Sequence, residues 1–400
     1  MKYIVILGDG MSDEPIGSLN GKTPLEVSKT PCMDSLAKRS EIGLAHTIPK
    51  GMQPGSDTAN LSVLGYDPRV YYSGRSPLEA LSIGVPMKDT DIALRCNLVT
   101  LSEDEVYEEK KIIDHSSGEI TTEEANELVE GIKKEFDNGI YTFYKGTSYR
   151  HLIIWDKGKE IDLAQPHDIL GKIIGEYLPK DDALRDMMKK SYDILDNHPI
   201  NIERSKRGLN KANSLWFWGA GTKPALASFE EKNHKKGAMI SAVDLLKGIA
   251  VGTDMKVIVV PGANGTLHTN YEGKAKAALD VLLKDDYDFV YVHVEAPDEM
   301  GHQGSIDNKI KAIEYLDQRI IKPVMEGMEK SGAEYRMLIM PDHPTPIHCR
   351  THTDDPVPYL LYDSGINKES NYLYNEADAK KSGNVIMNGH TIIHRLFNKG

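Results

Sequence analysis

Short apolar runs recur along this chain, and each is closed by glycine or by polar residues. Tyr3–Leu7 ends at Gly8-Asp9-Gly10, and Lys256–Val260, Phe289–Val294, Met337–Met340 and Val357–Leu361 are of the same kind. Compact runs of this length predict buried strands. Other stretches space their apolar residues at three and four: Thr30–Arg39, Asp57–Leu64, Met239–Ile249, Tyr271–Leu283 and Ser305–Met328. That spacing predicts helices, and in the last of them Ile306, Ile310, Ile313, Ile320 and Val324 share one face. Thr30-Pro31 reads as a cap and first turn, and Gly65 as the stop of the helix before it. Strand and helix in alternation predict an α/β fold, with a mostly parallel sheet covered by helices on both faces.

The middle of the chain breaks this rhythm. Its strands are more polar, Ile140–Tyr144 and His151–Trp155 flank a Gly146 turn, and Thr122–Phe136 reads as an acidic helix with Thr121 and Glu124 at capping-box spacing. Residues 75–237 are therefore expected to form an inserted α+β domain between two parts, 1–74 and 238–400, of the parallel-sheet domain. A chain of 400 residues is long enough for two cores, and 40% hydrophobic residues argue for folding over disorder. The balance of 48 basic against 60 acidic residues argues against a nucleic-acid platform. A small anion is still admissible, because eight Lys and Arg but only two Glu lie between Arg204 and Lys236. Three widely spaced cysteines form no disulfide framework, and no apolar run is long enough for a signal peptide or a membrane span. A cytoplasmic protein is expected, with no membrane partner.

The chemistry lies at the strand ends. Five of the 14 histidines fall between His293 and His352, interleaved with aspartates. Asp9 follows the first strand, Asp298 and His302 follow Phe289–Val294, and Asp342-His343 follows Met337–Met340. His352 precedes Val357–Leu361. Ligands of open α/β sheets bind beyond the carboxyl ends of the strands, so these groups converge on one edge. Clustered carboxylates repel, and two divalent cations would neutralise them. Mixed carboxylate and imidazole donors suit Mn, Zn or Co, and pure oxygen sites suit Mg. Each group also has a plainer reading: Asp298 and His302 as a helix-face pair, Asp342 as a cap, Asp9 as a turn residue. His293, His348 and His268 are read as structural. Ser56, in Pro54-Gly55-Ser56-Asp57, starts a helix. It is either a nucleophile activated by a metal or an N-cap.

Taken together, Gly8-Asp9-Gly10, the Ser56 loop, Asp298-x-x-x-His302, Asp342-His343 and His352-Thr-x-x-Pro-Val-Pro358 resemble the alkaline phosphatase superfamily. Arg95-Cys-Asn-Leu-Val-Thr100, Asp114-His-Ser-Ser-Gly118, Ser148-Tyr-Arg-His151 and Ala212–Gly219 narrow the resemblance to the short, archaeal type of cofactor-independent phosphoglycerate mutases. The resemblance implies one metal on Asp9, Ser56, Asp342 and His343 and another on Asp298, His302 and His352, Mn²⁺ before Zn²⁺, Co²⁺ or Mg²⁺. It implies a phosphoserine at Ser56 and no use of 2,3-bisphosphoglycerate. It assigns Arg95, Asp114, Arg150 and His151 to the substrate, His115 or His151 to proton transfer, and Lys236 (with Lys235 as alternative) to the phosphoryl group. Where some relatives carry an arginine, this chain has Trp218-Gly219-Ala-Gly221, and Arg204 or Arg207 is the expected substitute. The implied reaction interconverts 3- and 2-phosphoglycerate, with domain closure excluding water. A phosphatase or another phosphomutase is the alternative, and an inactive metal-stabilised binding protein a third.

Overall fold

The computed structural model describes residues 1–366 and 368–397. Among them the strands, in chain order, are β1 (Lys2–Gly8), β2 (Glu41–Ala45), β3 (Ile92–Leu101), β4 (Ile112–Asp114), β5 (Tyr141–Tyr144), β6 (Arg150–Trp155), β7 (Ser214–Thr222), β8 (Gly237–Ile240), β9 (Lys256–Ile258), β10 (Phe289–Val294), β11 (Tyr335–Met340), β12 (Val357–Asp363) and β13 (Val385–Ile386). The chain divides into two compact units, one of residues 1–72 with 225–400 and the other of residues 73–224.

The first unit is built on an eight-stranded sheet ordered β13-β2-β12-β11-β1-β10-β8-β9. Only β12 runs against the others, pairing antiparallel with β11 and with β2. β1 lies between β10 and β11, parallel to both. Buried on both faces, β1, β10 and β11 are apolar almost throughout, as central parallel strands must be. Helices Tyr271–Leu283, Ile306–Leu316 and Lys322–Ser331 pack their apolar stripes into the same core, where Ile313, Ile320, Val324 and Met328 are fully buried. This is the α/β architecture expected from the sequence.

The second unit carries a five-stranded antiparallel sheet, β4-β3-β6-β5 with β7 on β3. The ten residues of β3 are all buried. Helix Thr122–Phe136 covers the sheet with Leu128, Val129, Ile132 and Phe136. Thr121 caps this helix by accepting from the Glu124 amide, but Glu124 turns its carboxylate to Arg204 and Arg207 and not back to the cap.

Three expectations are corrected. Met239 and Ile240 belong to β8, and the helix expected from Met239 begins only at Asp244. Residues 225–237 belong to the first unit, because Phe229 stacks on Phe289 of β10 at 4.8 Å between ring centroids. Thr30 makes no cap; the Asp317 carboxylate, from a distant turn, accepts from the Cys32 and Met33 amides instead.

Candidate metal and nucleophile site

Parallel strands put their carboxyl ends on one edge, and every metal-ligand candidate is delivered there. Asp9 leaves β1, helix Ala296–His302 starts two residues after β10, and Asp342-His343 leave β11. Because β12 runs backwards, its first residue lies at this edge too, and His352 comes just before it. Ser56 starts helix Ser56–Val63, reached from the end of β2.

The side chains meet in two abutting groups, Asp9–Asp342–His343 and Asp298–His343–His352, each with donor atoms within 4.8 Å of one another. His343 Nε2 lies 3.5 Å from Asp9 Oδ1, 3.4 Å from Asp342 Oδ2 and 3.0 Å from Ser56 Oγ. His302 Nε2 is 3.2 Å from Asp298 Oδ2 and 3.0 Å from His352 Nε2, and His352 Nε2 is 3.5 Å from Asp298 Oδ1. The rings of His343 and His352 lie 3.9 Å apart. Ser56 is not the cap: Gly55 holds that place, and the hydroxyl turns into the pocket.

Hydrogen bonds behind the pocket set which imidazole nitrogen faces inward. His302 Nδ1–H donates to the Arg350 carbonyl at 2.9 Å, so Nε2 is the nitrogen that faces Asp298. Thr345 gives its hydroxyl proton to Asp298 and so accepts from His343 Nδ1, 3.4 Å away, which leaves His343 Nε2 bare. His293, read from sequence as structural, is the missed member. Its Nε2 lies 2.9 Å from Asp9 Oδ2, while Ser241 meets its Nδ1 at 3.2 Å. No spacing pattern marks it, because it sits inside a buried strand and acts through Asp9.

This donor set fits divalent cations. Asp9 Oδ1 is buried with no hydrogen-bond partner. Burial, then the neighbouring Asp342 and Asp298, push the Asp9 carboxyl well above the usual carboxylate range. For Asp298, burial acts the same way, but His302 and His352 outweigh it and hold the carboxyl well below that range. Asp298 raises the His302 imidazole to about 9. Bare lone pairs and carboxylate oxygens facing one another are stable only with positive charge between them.

Lys236 does not reach this edge. It is exposed and its amide donates to Asp288, at the amino end of β10. That is about 20 Å, the length of the strand, from the pocket. Lys235 stands over the Tyr3 and Phe397 rings at the same wrong end.

In the second unit, Arg95 is buried, pairs with Glu79 at 3.2 Å and lies over Trp218 at 4.4 Å. Burial draws its guanidinium down to about 10 against the pull of Glu79. His115 meets the Tyr149 ring edge-on at 5.8 Å and that of His167 at 6.1 Å, and His167 meets Trp218 at 5.5 Å. Arg150 is exposed over Tyr149. Arg95, Arg150 and His115 thus share one cluster, with His167 as a member no motif announced.

Four other candidates are engaged structurally. Asp114 spends both oxygens on Ser116, Gly118 and Asn210. Arg204 is buried and donates to Asn210 and Ser117 carbonyls and to Glu124. Arg207 also pairs with Glu124. His151 is buried, its Nδ1 accepts from the Gly146 amide, and its Nε2 has no partner. Burial pulls it down to about 3, which keeps the ring neutral.

A parallel α/β sheet with a serine hydroxyl inside a carboxylate–imidazole pocket defines a class of protein built to hold cations beside a nucleophile. The comparisons narrow the class. Residues 37–201 match the family model for 2,3-bisphosphoglycerate-independent phosphoglycerate mutase. The chain is 51% identical to the 2,3-bisphosphoglycerate-independent phosphoglycerate mutase of Methanosarcina barkeri over 95% of each protein. It is 48% identical to the probable one of Geobacter sulfurreducens over the full length of both. Among solved structures, a Pyrococcus horikoshii protein superposes with a TM-score of 0.82 at 32% identity, covering 100% of this chain and 98% of that one. The cofactor-independent phosphoglycerate mutase of Thermoplasma acidophilum does so with 0.65 at 28%, covering 99% of both. The chain belongs to the 2,3-bisphosphoglycerate-independent phosphoglycerate mutase family.

Proposed function

We propose that this enzyme interconverts 3-phosphoglycerate and 2-phosphoglycerate, with Ser56 carrying the phosphoryl group between the two oxygens. Membership of the family supports the reaction. The observation that carries the mechanism is the Ser56 hydroxyl lying 3.0 Å from His343 Nε2 inside the acidic pocket. Ser56 Oγ gives up its proton and attacks phosphorus in line, the bond to the glycerate 3-oxygen breaks, and that oxygen takes a proton. The 2-hydroxyl then gives up a proton and attacks the phosphoserine, the bond to Oγ breaks, and Oγ takes a proton back. No proton is gained or lost over the cycle.

Asp9, Ser56, Asp342 and His343 would hold one divalent cation and Asp298, His302 and His352 another, with Mn²⁺ the favoured ion for this oxygen and nitrogen set. Such ions neutralise the phosphoryl oxygens and lower the pKa of a bound hydroxyl. The chain's own share is to hold Ser56 at a helix start, where free amides favour a phosphate ester. Arg95, Arg150 and His115 are assigned to the glycerate part. Among the described residues no helix is long and apolar enough to cross a membrane, and Cys32, Cys96 and Cys349 are free; we assign the enzyme to the cytoplasm.

The test uses Ser56→Ala with 3-phosphoglycerate and Mn²⁺, followed by phosphorus NMR. The parent chain should give the 2-isomer and little free phosphate, and the variant neither the isomer nor a labelled serine. Isomer formation by the variant removes Ser56 from the mechanism. Free phosphate as the parent's main product makes the enzyme a phosphatase.

A further inference from the structure

Behind the pocket lies a second layer of polar contacts in which Asn60 is central. Asparagine is a poor helix former, and a buried amide is costly unless its hydrogen bonds are met. Yet Asn60 sits inside helix Ser56–Val63 with no exposure at all. One turn past Ser56, it faces the same side of the helix. Its Nδ2 donates at 2.8 Å to the Ser56 carbonyl and at 2.8 Å to Asp342 Oδ2. Its Oδ1 accepts from the Tyr291 hydroxyl at 2.5 Å. The orientation is forced: flipping the amide would set its oxygen against a carboxylate and a carbonyl.

Tyr291 is itself fully buried, on β10, two residues before His293. Side chains two apart on a strand share a face. One rigid strand therefore backs both carboxylates, His293 behind Asp9 and Tyr291, through Asn60, behind Asp342. The remaining oxygen of Asp342 accepts from the Gly10 and His343 amides. An apolar residue at position 60 would fill this space at less cost in burial, so the polar triplet calls for a role beyond packing.

We propose that Asn60 and Tyr291 are positioning residues that lock the Asp342 carboxylate to the Ser56 turn, so that the nucleophile and one ion-binding group keep a fixed relation. The inference rests on the site reading above, but it is tested without turnover. Tyr291→Phe keeps the shape and removes one hydroxyl, and Asn60→Ala removes the link itself. Full-length protein stripped with EDTA is titrated with Mn²⁺ by calorimetry. In both variants one of the two binding events should weaken about 10–100-fold. The other, on Asp298, His302 and His352, should stay within twofold. With 3-phosphoglycerate, kcat should fall by the same order while KM changes less than threefold. Two unchanged isotherms overturn the proposal. So does equal weakening of both events together with loss of the folded circular dichroism signal, since that marks a packing role. A parent chain that binds Mn²⁺ but does not isomerise phosphoglycerate would sink the function and leave this inference to be decided by the isotherms.

Discussion

Ser56, which the sequence also allows as a helix cap, lies one residue inside the helix and leaves that task to its neighbour. Gly55 is extended and serves as the cap residue, while the hydroxyl is 3.0 Å from an imidazole in a pocket of carboxylates. His151 shows the reverse case. Sequence similarity gives it a chemical role, but it is buried with its ring neutral and one nitrogen taken by a backbone amide. A histidine at about 3 in the folded state and near 6.5 when unfolded binds its proton only in the unfolded chain between those values. Its contribution to stability is thus complete above pH 6.5 and is lost as pH falls toward 3, by about 1.4 kcal/mol per pH unit. Urea unfolding followed by tryptophan fluorescence reads this directly, because Trp155, Trp216 and Trp218 all lie in the second unit. His151→Gln should flatten the slope between pH 6 and 4 by about one proton; an unchanged slope would show that other groups govern it.

At the scale of elements, the loops that carry the ligands are clamped by a buried lysine. Lys309, from helix Ile306–Leu316, donates to the Ser12 and Thr345 carbonyls at 3.2 and 2.8 Å and to Asp13 Oδ2 at 2.8 Å. Asp13 in turn accepts from the Ile347 amide. The loop after β1 and the loop after β11 are thus tied to one ammonium group. Lys309→Met leaves the buried Asp13 carboxylate without its counter-charge, and should cost about 3–5 kcal/mol. A fall of roughly 10 °C in Tm is expected for a unit of this size. A shift under 2 °C in calorimetry would mean that the loops hold themselves. The central strands and long helices were legible in the sequence because burial on both faces, or along one stripe, leaves a periodic trace. β8 left none: four residues, Gly237–Ile240, are followed after a gap of three by an apolar helix, and the two read as one element. That error hid the orientation of the strand, and with it the fact that Lys236 lies at the wrong end. The Asp317 cap and the Asp9–His293 pair were equally invisible, since each joins residues more than 280 positions apart.

For the whole molecule, the second unit is an insertion whose two ends meet. Ser73 donates its hydroxyl to the Thr222 carbonyl at 2.8 Å, so the chain enters and leaves this unit side by side. With its own core around Leu98, Leu128 and Trp216, the segment 73–224 should fold alone. Expressed by itself, it should unfold cooperatively in urea with buried tryptophan emission. A gradual, non-sigmoidal curve would show that it depends on the rest of the chain.

The pairing of β1 with β10 and β11 has a consequence for the ribosome. β1, the first of these strands to be made, takes the middle of the sheet, and its neighbours β10 and β11 are translated about 290 and about 330 residues later. At about 5–20 residues per second, an apolar ribbon with two open edges waits on the order of tens of seconds for company. β1 is then the strand of this sheet most exposed to stray association, and the one a chaperone has most reason to hold.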